Sequence, residues 1–129
     1  MKMESSQLME GVKRLEAEEG AVFMHPFDDL DLISGHASLG LEVIGEDEAP
    51  DADVVVVCCG GGGLLAGVAA AIKTSSRPGC RVIGVEPETA NSMGASIRDG
   101  AAVQMPGAIS VAGGLAPPFA GRNAYKHVR

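Results

Sequence analysis

Aromatic and basic residues are both scarce in this chain. Its 129 residues include no tryptophan, one tyrosine and three phenylalanines, so the 46% of apolar residues must build a core mainly from Val, Ile, Leu, Ala and Met. Ten Lys and Arg stand against seventeen Asp and Glu, which gives a net charge of −7. Nucleic-acid binding requires a basic face, and this balance argues against it. At this length we expect one domain at most.

Cysteines are too few and too irregular to form a framework. Cys58, Cys59 and Cys80 are an odd number with no repeated spacing, which argues against a set of disulfides or a zinc site. Because Cys58 and Cys59 end a predicted strand, we expect both to be small buried apolar side chains. The alternative is a reactive thiol whose pKa is lowered by the amino end of the next helix.

Targeting and membrane segments are not predicted. The N-terminal residues lead into a polar stretch with no apolar core of the secretory type, so a cytoplasmic location is expected. Residues 54–72 carry no charge and could span a bilayer, with Gly63 and Gly67 as a G-x-x-x-G pair. However, the four consecutive glycines at 60–63 would each weaken a spanning helix by about 1 kcal/mol. We therefore expect no membrane partner.

Hydrophobic periodicity predicts five helices separated by glycine and proline. The first carries Leu8, Val12 and Leu15 on one face and stops at Gly20. The others are predicted over residues 34–44, 64–75, 90–97 and from residue 120. In the second helix we expect Leu39, Val43 and Ile44 to be buried. The acidic stretches at 16–19 and 46–53 are assigned to solvated surface.

Strands are predicted over residues 21–24, 54–58 and 81–86, with a turn over residues 25–29. Residues 54–58 are all apolar, as in the middle of a parallel sheet covered on both faces, and residues 81–86 are also expected to be buried. Alternation of strands and helices with short connections predicts an α/β fold, a parallel sheet with crossover helices. Three strands leave exposed edges, so either another chain completes the sheet or the sequence is a piece of a larger protein.

Four consecutive glycines, Gly60 to Gly63, lie between a predicted strand and a predicted helix. Glycine has no Cβ, so the backbone N–H groups of such a turn can close on a ligand. The helix that follows adds unpaired N–H donors and the positive end of its dipole. The pattern therefore predicts an anion site, most plausibly for a phosphate group.

Two classes of ligand fit that turn. Gly61-x-Gly63-x-x-Ala66 matches the dinucleotide fingerprint, and Glu86 ends the next strand, where a ribose-binding acid belongs. The match is weak, because four glycines satisfy many glycine-spaced patterns by chance. The second class is a cofactor with a single phosphate that the loop itself binds.

Five motifs in chain order favour the second class. They are His25-Pro26-Phe27-Asp28-Asp29, Ile33-x-Gly35-His36-Ala37-Ser38-Leu39-Gly40-Leu41-Glu42, Gly60-Gly61-Gly62-Gly63-Leu64, Val85-Glu86-Pro87 and Ala112-Gly113-Gly114-Leu115-Ala116. Together they resemble the tryptophan-synthase-β-like (fold type II) pyridoxal-phosphate enzymes, in the branch of threonine/serine ammonia-lyases (dehydratases) and serine racemases. The resemblance covers nearly the whole chain, and the order of five motifs is more specific than any one of them.

The resemblance implies which residues bind the cofactor, pyridoxal 5′-phosphate. The backbone N–H groups of Gly60, Gly61, Gly62, Gly63 and Leu64 would bind its phosphate. Some members of this branch also bind a divalent cation, Mg²⁺ or Ca²⁺. The matching positions here are Glu86, the Ala90 carbonyl and Ser92, although Ser92 replaces an aspartate and removes an anionic ligand. The alternative for Glu86 is a strand-end acid that faces solvent or a helix end.

Parts of the family pattern are missing or altered. The Schiff-base lysine of the family lies in an S-x-K-x-R motif, and none of the four lysines has that context. The segments that bind the substrate carboxylate and the pyridine nitrogen have no match either. His36 replaces a glutamine, Ala37 a glycine and Gly113 an aspartate; His36 is either an active-site feature or a helix-start residue with a local hydrogen bond. We therefore expect one incomplete domain, residues 1–129, from the centre of such an enzyme, with no catalytic residue of its own.

The parent enzyme implied by the resemblance converts threonine, serine or a related β-hydroxy amino acid into a 2-oxo acid and ammonia. We expect the isolated chain to be inactive and the parent to be a homo-oligomer. Three alternatives stay open: a non-catalytic homologue that acts as an interaction module, a serine racemase, and a dinucleotide-binding module.

Overall fold

A computed structural model of the chain describes residues 5–45 and 51–129. Its helices are α1 (Ser5–Glu19), α2 (Leu30–Val43), α3 (Gly63–Thr74), α4 (Ser92–Asp99) and α5 (Arg122–Val128). Its strands are β1 (Val54–Cys58) and β2 (Arg81–Val85), and short 3-10 turns lie at Glu88–Ala90 and Gly113–Leu115. These bounds confirm the predicted helices after residue 60 to within about two residues.

The sheet is parallel, as the sequence predicts. β1 pairs with β2 from Val54 opposite Arg81 to Cys58 opposite Val85, and α3 is the crossover helix between them. The strand predicted at residues 21–24 is wrong: these residues are neither strand nor helix, and Val22 is 85% exposed. A strand needs a neighbour, and within the described ranges the sheet has two strands rather than three.

Helix α3 forms the centre of the core. Its buried side chains Leu65, Val68 and Ile72 belong to one apolar cluster with β1, α4 and α5. Helix α2 packs against α3 through glycines: a Cβ on Gly67 would overlap the carbonyl oxygen of Ile33, and one on Gly40 would lie 2.9 Å from the Val68 carbonyl oxygen. The G-x-x-x-G pair that includes Gly67 thus lies in a helix packed within a globular core. Within the described residues, no helix is both long enough and apolar enough to cross a membrane.

Helix α2 begins earlier than predicted and buries a different face. It begins at Leu30 rather than residue 34, because Oδ1 of Asp29 accepts hydrogen bonds from the amides of Asp31 (2.9 Å) and Leu32 (3.1 Å). Such a cap satisfies N–H groups that a helix start leaves unpaired. The predicted burial of Leu39 is wrong, since this side chain is 42% exposed, and Ile33 is the buried side chain instead.

The two faces of the sheet have different surroundings. Val57 belongs to the core cluster that includes Leu65 of α3, and Val55 and Val82 pack against that cluster. On the other face Val56, Ile83 and Val85 are 63%, 41% and 50% exposed. The predicted burial of β2, and of β1 on both faces, is therefore wrong for this chain. Of the acidic stretches, the acids at 16–19 are exposed as predicted, whereas residues 46–50 lie outside the described residues.

Candidate functional site

The glycine loop, residues 60–63, joins β1 to α3 and keeps its amides open. Gly62 adopts φ 99°, a left-handed conformation that side chains rarely adopt. The first amide of this region to donate within the helix is Ala66, which binds the Gly62 carbonyl at 2.9 Å. In the part of the chain that the structure describes, the amides of residues 60–65 donate to no protein acceptor. Six neighbouring donors are therefore available to a ligand.

Burial makes these open amides unusual. Gly61, Gly62 and Gly63 are buried residues, and buried backbone N–H groups nearly always have a hydrogen-bond partner. The surrounding residues also leave no room for side chains in the loop. A Cβ on Gly60 would lie 2.9 Å from the Gly114 carbonyl oxygen, and one on Gly61 would overlap the ring of Phe27. Glycine is therefore required by contact at Gly60 and Gly61, and by conformation at Gly62.

A cavity of about 230 Å³ lies against the glycine loop. The loop shares its lining with Pro26, Phe27, His36, Cys58 and Leu115. No lysine or arginine is among the described residues that line it, so an anion there would be bound by backbone amides and by the dipole of α3. The donor set suits the terminal phosphate of a cofactor: several neighbouring N–H groups lie in a loop that has no Cβ and lines the cavity.

Phe27 and Asp28 are functional candidates that the sequence did not reveal. The motif predicted a turn at residues 25–29, and a turn is present over residues 26–28. The structure adds that Phe27 packs against Gly61 and Gly63, and that the Asp28 carboxylate binds amides of α5. These partners lie far from the turn along the chain, up to 96 residues for Asp28, so no local pattern could indicate them.

The candidate cation ligands lie together but are differently engaged. Glu86 accepts hydrogen bonds from the amides of Met93 and Gly94, both at 2.7 Å, so its carboxylate caps α4, as in the helix-end interpretation. Ala90 and Ser92 are fully buried, and the Ser92 hydroxyl has no hydrogen-bond partner among the described residues. No group of three His, Cys, Asp or Glu in the described ranges could hold a metal ion. The cation site stays a prediction.

The cysteines differ from one another in burial. Cys59 is buried as predicted, and Cys80 is buried as well, but Cys58 is exposed and lines the cavity, so the prediction for Cys58 is wrong. Burial, followed by the negative charges of Glu86 and Cys58, raises the pKa of the Cys59 thiol to about 12. For Cys59 the alternative of a lowered thiol pKa is therefore wrong, because burial disfavours the thiolate more than the helix end favours it.

His36 lies half-buried at the edge of the cavity. Its Cβ lies 2.7 Å from the position that a Cβ of Gly67 would take, so the α2–α3 contact fixes the base of the side chain. This placement brings His36 to the glycine loop. A role for its imidazole in the site stays a prediction.

Comparison with known proteins agrees with the motifs. A family model described as "Pyridoxal-phosphate dependent enzyme" matches residues 2–129. The chain is 42% identical over 120 residues to an L-threonine ammonia-lyase of Thermotoga maritima, covering 93% of this chain and 29% of that protein. The crystal structure of a T.th. threonine deaminase matches with a TM-score of 0.85 at 34% identity, covering 93% of this chain and 41% of that one. Maize serine racemase matches with a TM-score of 0.90 at 31% identity, covering 99% and 39%.

These matches show the fold of the chain and the share of each relative's length that it covers. The neighbours with 31% and 34% identity confirm the predicted α/β fold of the fold type II pyridoxal-phosphate enzymes. The chain spans 29% of the length of the Thermotoga maritima relative and no more than 41% of either matched structure.

Proposed function

The chain belongs to the pyridoxal-phosphate dependent enzyme family, and on that basis we propose that it is the part of an ammonia-lyase that binds the phosphate of the cofactor. The parent reaction converts threonine, serine or a related β-hydroxy amino acid into a 2-oxo acid and ammonia. Threonine is favoured by the name of the Thermotoga maritima relative. Residues 1–129 are then one incomplete domain of a larger homo-oligomeric enzyme.

The observation that carries this proposal is the run of glycine-loop amides that have no protein acceptor among the described residues, in a loop whose residues 61–63 are buried. The N–H groups of Gly60, Gly61, Gly62, Gly63 and Leu64 are the proposed phosphate ligands. When bound, pyridoxal phosphate supplies an electron sink for carbanion chemistry on the amino acid. The residues of this chain bind and orient the phosphate end, and the proposal assigns them no proton transfer.

Binding of pyridoxine 5′-phosphate tests the proposal on the chain itself. This compound has the ring and phosphate of the cofactor but no aldehyde, so it forms no imine with the lysines of the chain. Pyridoxine, which lacks the phosphate, is the matched control ligand, and both are titrated by isothermal calorimetry. We expect the phosphate ester to bind at least about tenfold more tightly, because charge-assisted hydrogen bonds are the stronger ones. Equal affinities, or no binding of either compound, would contradict the proposal.

Ammonia release is the second test. Because the proposal assigns no catalytic residue to the chain, purified chain with added pyridoxal phosphate should release no ammonia from threonine or serine. Ammonia above the protein-free control would show that a catalytic group is present and that this part of the proposal is wrong.

An interaction module without catalysis is the second candidate, and the exposed sheet face favours it. Val56, Ile83 and Val85 present an apolar surface on a chain with a net charge of −7. Such a module should form a complex with a full-length relative such as the Thermotoga maritima ammonia-lyase. Sedimentation velocity of the mixture measures this, and independent sedimentation of the two proteins would exclude that relative as the partner.

The remaining alternatives have weaker support. A dinucleotide module needs Glu86 for a ribose hydroxyl, but both oxygens of this carboxylate already bind amides of α4. Titration with NAD tests that alternative directly. A racemase shares the phosphate site, so the likeness to maize serine racemase keeps it open. The cytoplasmic location stays a prediction.

A divalent cation at Glu86, Ala90 and Ser92 is a finer proposal. The unpartnered, buried Ser92 hydroxyl supports it, whereas the amides bound to Glu86 compete with a cation. If Ca²⁺ or Mg²⁺ binds there, it should raise the melting temperature of the chain, and Glu86→Gln should abolish that rise. An unchanged melting temperature with both cations would contradict the proposal.

A further inference from the structure

We propose that Asp28 is a positioning residue that fixes the conformation of the glycine loop through the amino end of α5. This inference rests on the proposed function, because it concerns the orientation of the amides assigned to the phosphate. It assigns to Asp28 a role that its carboxylate performs by binding backbone amides. Three sets of contacts carry it.

The first set binds Asp28 to α5. Its carboxylate accepts hydrogen bonds from the amides of Arg122 (3.0 Å), Asn123 (2.7 Å) and Ala124 (3.2 Å). The side-chain amide of Asn123 donates in return to the Asp28 carbonyl oxygen at 2.9 Å. A carboxylate at a helix start also interacts favourably with the helix dipole. Four hydrogen bonds therefore hold the first turn of α5 against the turn at residues 26–28.

The second set connects α5 to the glycine loop. The amide of Gly121, the residue just before α5, donates to the Gly61 carbonyl oxygen at 2.9 Å. This junction is tight: a Cβ on Gly121 would lie 2.6 Å from Oδ1 of Asp28 and 3.1 Å from the Gly61 oxygen. Asp28 and the Gly61 carbonyl thus both lie close to the backbone of Gly121.

The third set holds the glycine loop from the side of the turn. The ring of Phe27 occupies the space that a Cβ of Gly61 would need, and the backbone of Phe27 closes on Gly63. The ring also lies 5.2 Å from that of Phe119, centroid to centroid. Nδ1 of His25 accepts from the amide of Asp28 at 3.2 Å, which keeps the turn closed. Phe27 and Asp28 are adjacent, so one turn contacts the loop directly and also through α5.

The consequence concerns one peptide group. In a trans peptide the C=O and the next N–H point in opposite directions, and the described residues contain no cis peptide. Because Gly121 binds the Gly61 oxygen, the Gly62 N–H is directed away from α5. If α5 were released, the Gly61–Gly62 peptide could rotate. The Gly62 N–H would then no longer be held in its place among the proposed phosphate donors. Asp28 therefore acts on the site through the orientation of an amide.

Asp29 provides a matched control within the same turn. It is the next residue and also caps a helix, accepting from the amides of Asp31 and Leu32, but that helix is α2. Loss of Asp29 removes a carboxylate and a helix cap without touching the contact between α5 and Gly61. A difference between Asp28→Ala and Asp29→Ala therefore reports positioning rather than the general cost of losing a cap.

The experiment compares these variants at a temperature where each is folded by circular dichroism. We expect Asp28→Ala to bind pyridoxine 5′-phosphate about tenfold or more weakly than the wild-type chain, and Asp29→Ala to stay within about twofold. Asp28→Asn keeps an oxygen acceptor and should restore most of the affinity. In the ligand-free chain, ¹H–¹⁵N spectra should show displaced Gly61 and Gly62 amide signals in Asp28→Ala but not in Asp29→Ala.

The two readouts separate failure of this inference from failure of the proposed function. If the wild-type chain does not bind the phosphate ester, the proposed function fails, and the amide signals alone decide whether Asp28 positions the loop. If binding is normal and Asp28→Ala matches Asp29→Ala in affinity and in spectra, the inference is overturned. If Asp28→Ala does not fold, Gly121→Ala replaces it, because the Cβ of the new alanine would separate Asp28 from the Gly61 oxygen. Unchanged Gly61 and Gly62 amide signals in Gly121→Ala would also overturn the inference.

Discussion

In the part of the chain that the structure describes, the amino ends of helices α2, α4 and α5 each bind a carboxylate, whereas the amino end of α3 binds none. Asp29 caps α2, Glu86 caps α4 and Asp28 caps α5, each through amides of the first turn. At α3 the corresponding position is the glycine loop, which has no side chains to offer. The same physical need is therefore met at α2, α4 and α5 by the protein itself and left unmet at α3.

The difference between capped and uncapped helix ends distinguishes residues that stabilise the fold from those proposed to bind the phosphate. An acidic cap stabilises a helix start by about 1 kcal/mol, so a sequence selected only for stability has reason to place one at every helix. At α3 an acid would occupy the position proposed for the phosphate and repel its charge. Among the helix starts that the structure describes in full, α3 is the exception. Its uncapped amino end thus marks the candidate site more clearly than any one motif does.

Filling the open end of α3 should have the largest effect. Gly61→Ala places a Cβ into the ring of Phe27, so either the loop or the turn must move. We expect binding of pyridoxine 5′-phosphate to weaken by more than about tenfold, and the free energy of unfolding to fall by about 1–3 kcal/mol. Calorimetric titration and urea unfolding measure the two effects.

Gly35→Ala is the control for that variant. Gly35 lies inside α2 with nothing within 4 Å of the place that a Cβ would take, and its substitution should stabilise the helix by about 0.5–1 kcal/mol. Its affinity for the phosphate ester should match that of the wild-type chain. If Gly61→Ala behaved like Gly35→Ala, the open end of α3 would have no special requirement for glycine.

Removing an acid from a capped end should have an intermediate effect. Glu86→Ala leaves the amides of Met93 and Gly94 without their acceptor, and we expect the free energy of unfolding to fall by about 1–2 kcal/mol. Glu86→Gln keeps an oxygen acceptor and should lose less. The exposed Glu88 provides the control, and Glu88→Ala should change stability by under about 0.5 kcal/mol. Equal urea midpoints for Glu86→Ala and Glu88→Ala would show that the cap adds nothing.

The effect that is absent near neutral pH is a pH dependence at Cys59, whose pKa is raised by burial and then by the charge of Glu86. The folded pKa of about 12 lies above the reference value of 9.0, so the unfolded chain releases this proton first as the pH rises. The contribution to stability is complete below pH 9 and is lost on the way to pH 12, by at most about 1.4 kcal/mol per pH unit. Urea unfolding of the wild-type chain and of Cys59→Ala, at about pH 8 and about pH 10.5, measures it. Parallel pH profiles for the two proteins would contradict the raised pKa.

What could be predicted from the sequence depends on distance along the chain. The strand, glycine loop and helix around residue 60 are neighbours in sequence, so their pattern was sufficient to predict the order of these elements, while the anion site stays a prediction. The Asp28–Asn123 contact joins residues 95 positions apart, and no periodicity carries that information. The false strand at 21–24 and the exposed Leu39 have the same origin: pairing and packing partners, rather than local composition, decide both.

The requirement for glycine at residues 60–63 also has a genetic consequence. Every single-base missense change in a glycine codon introduces a side chain with at least a Cβ, and at Gly61 even that one carbon overlaps Phe27. The acidic caps are more tolerant, since Asp28, Asp29 and Glu86 each have an amide counterpart that keeps an oxygen acceptor. Deep mutational scanning of the gene should therefore show an intolerant segment at glycine codons 60–63, whereas some substitutions should survive at the capping codons 28, 29 and 86.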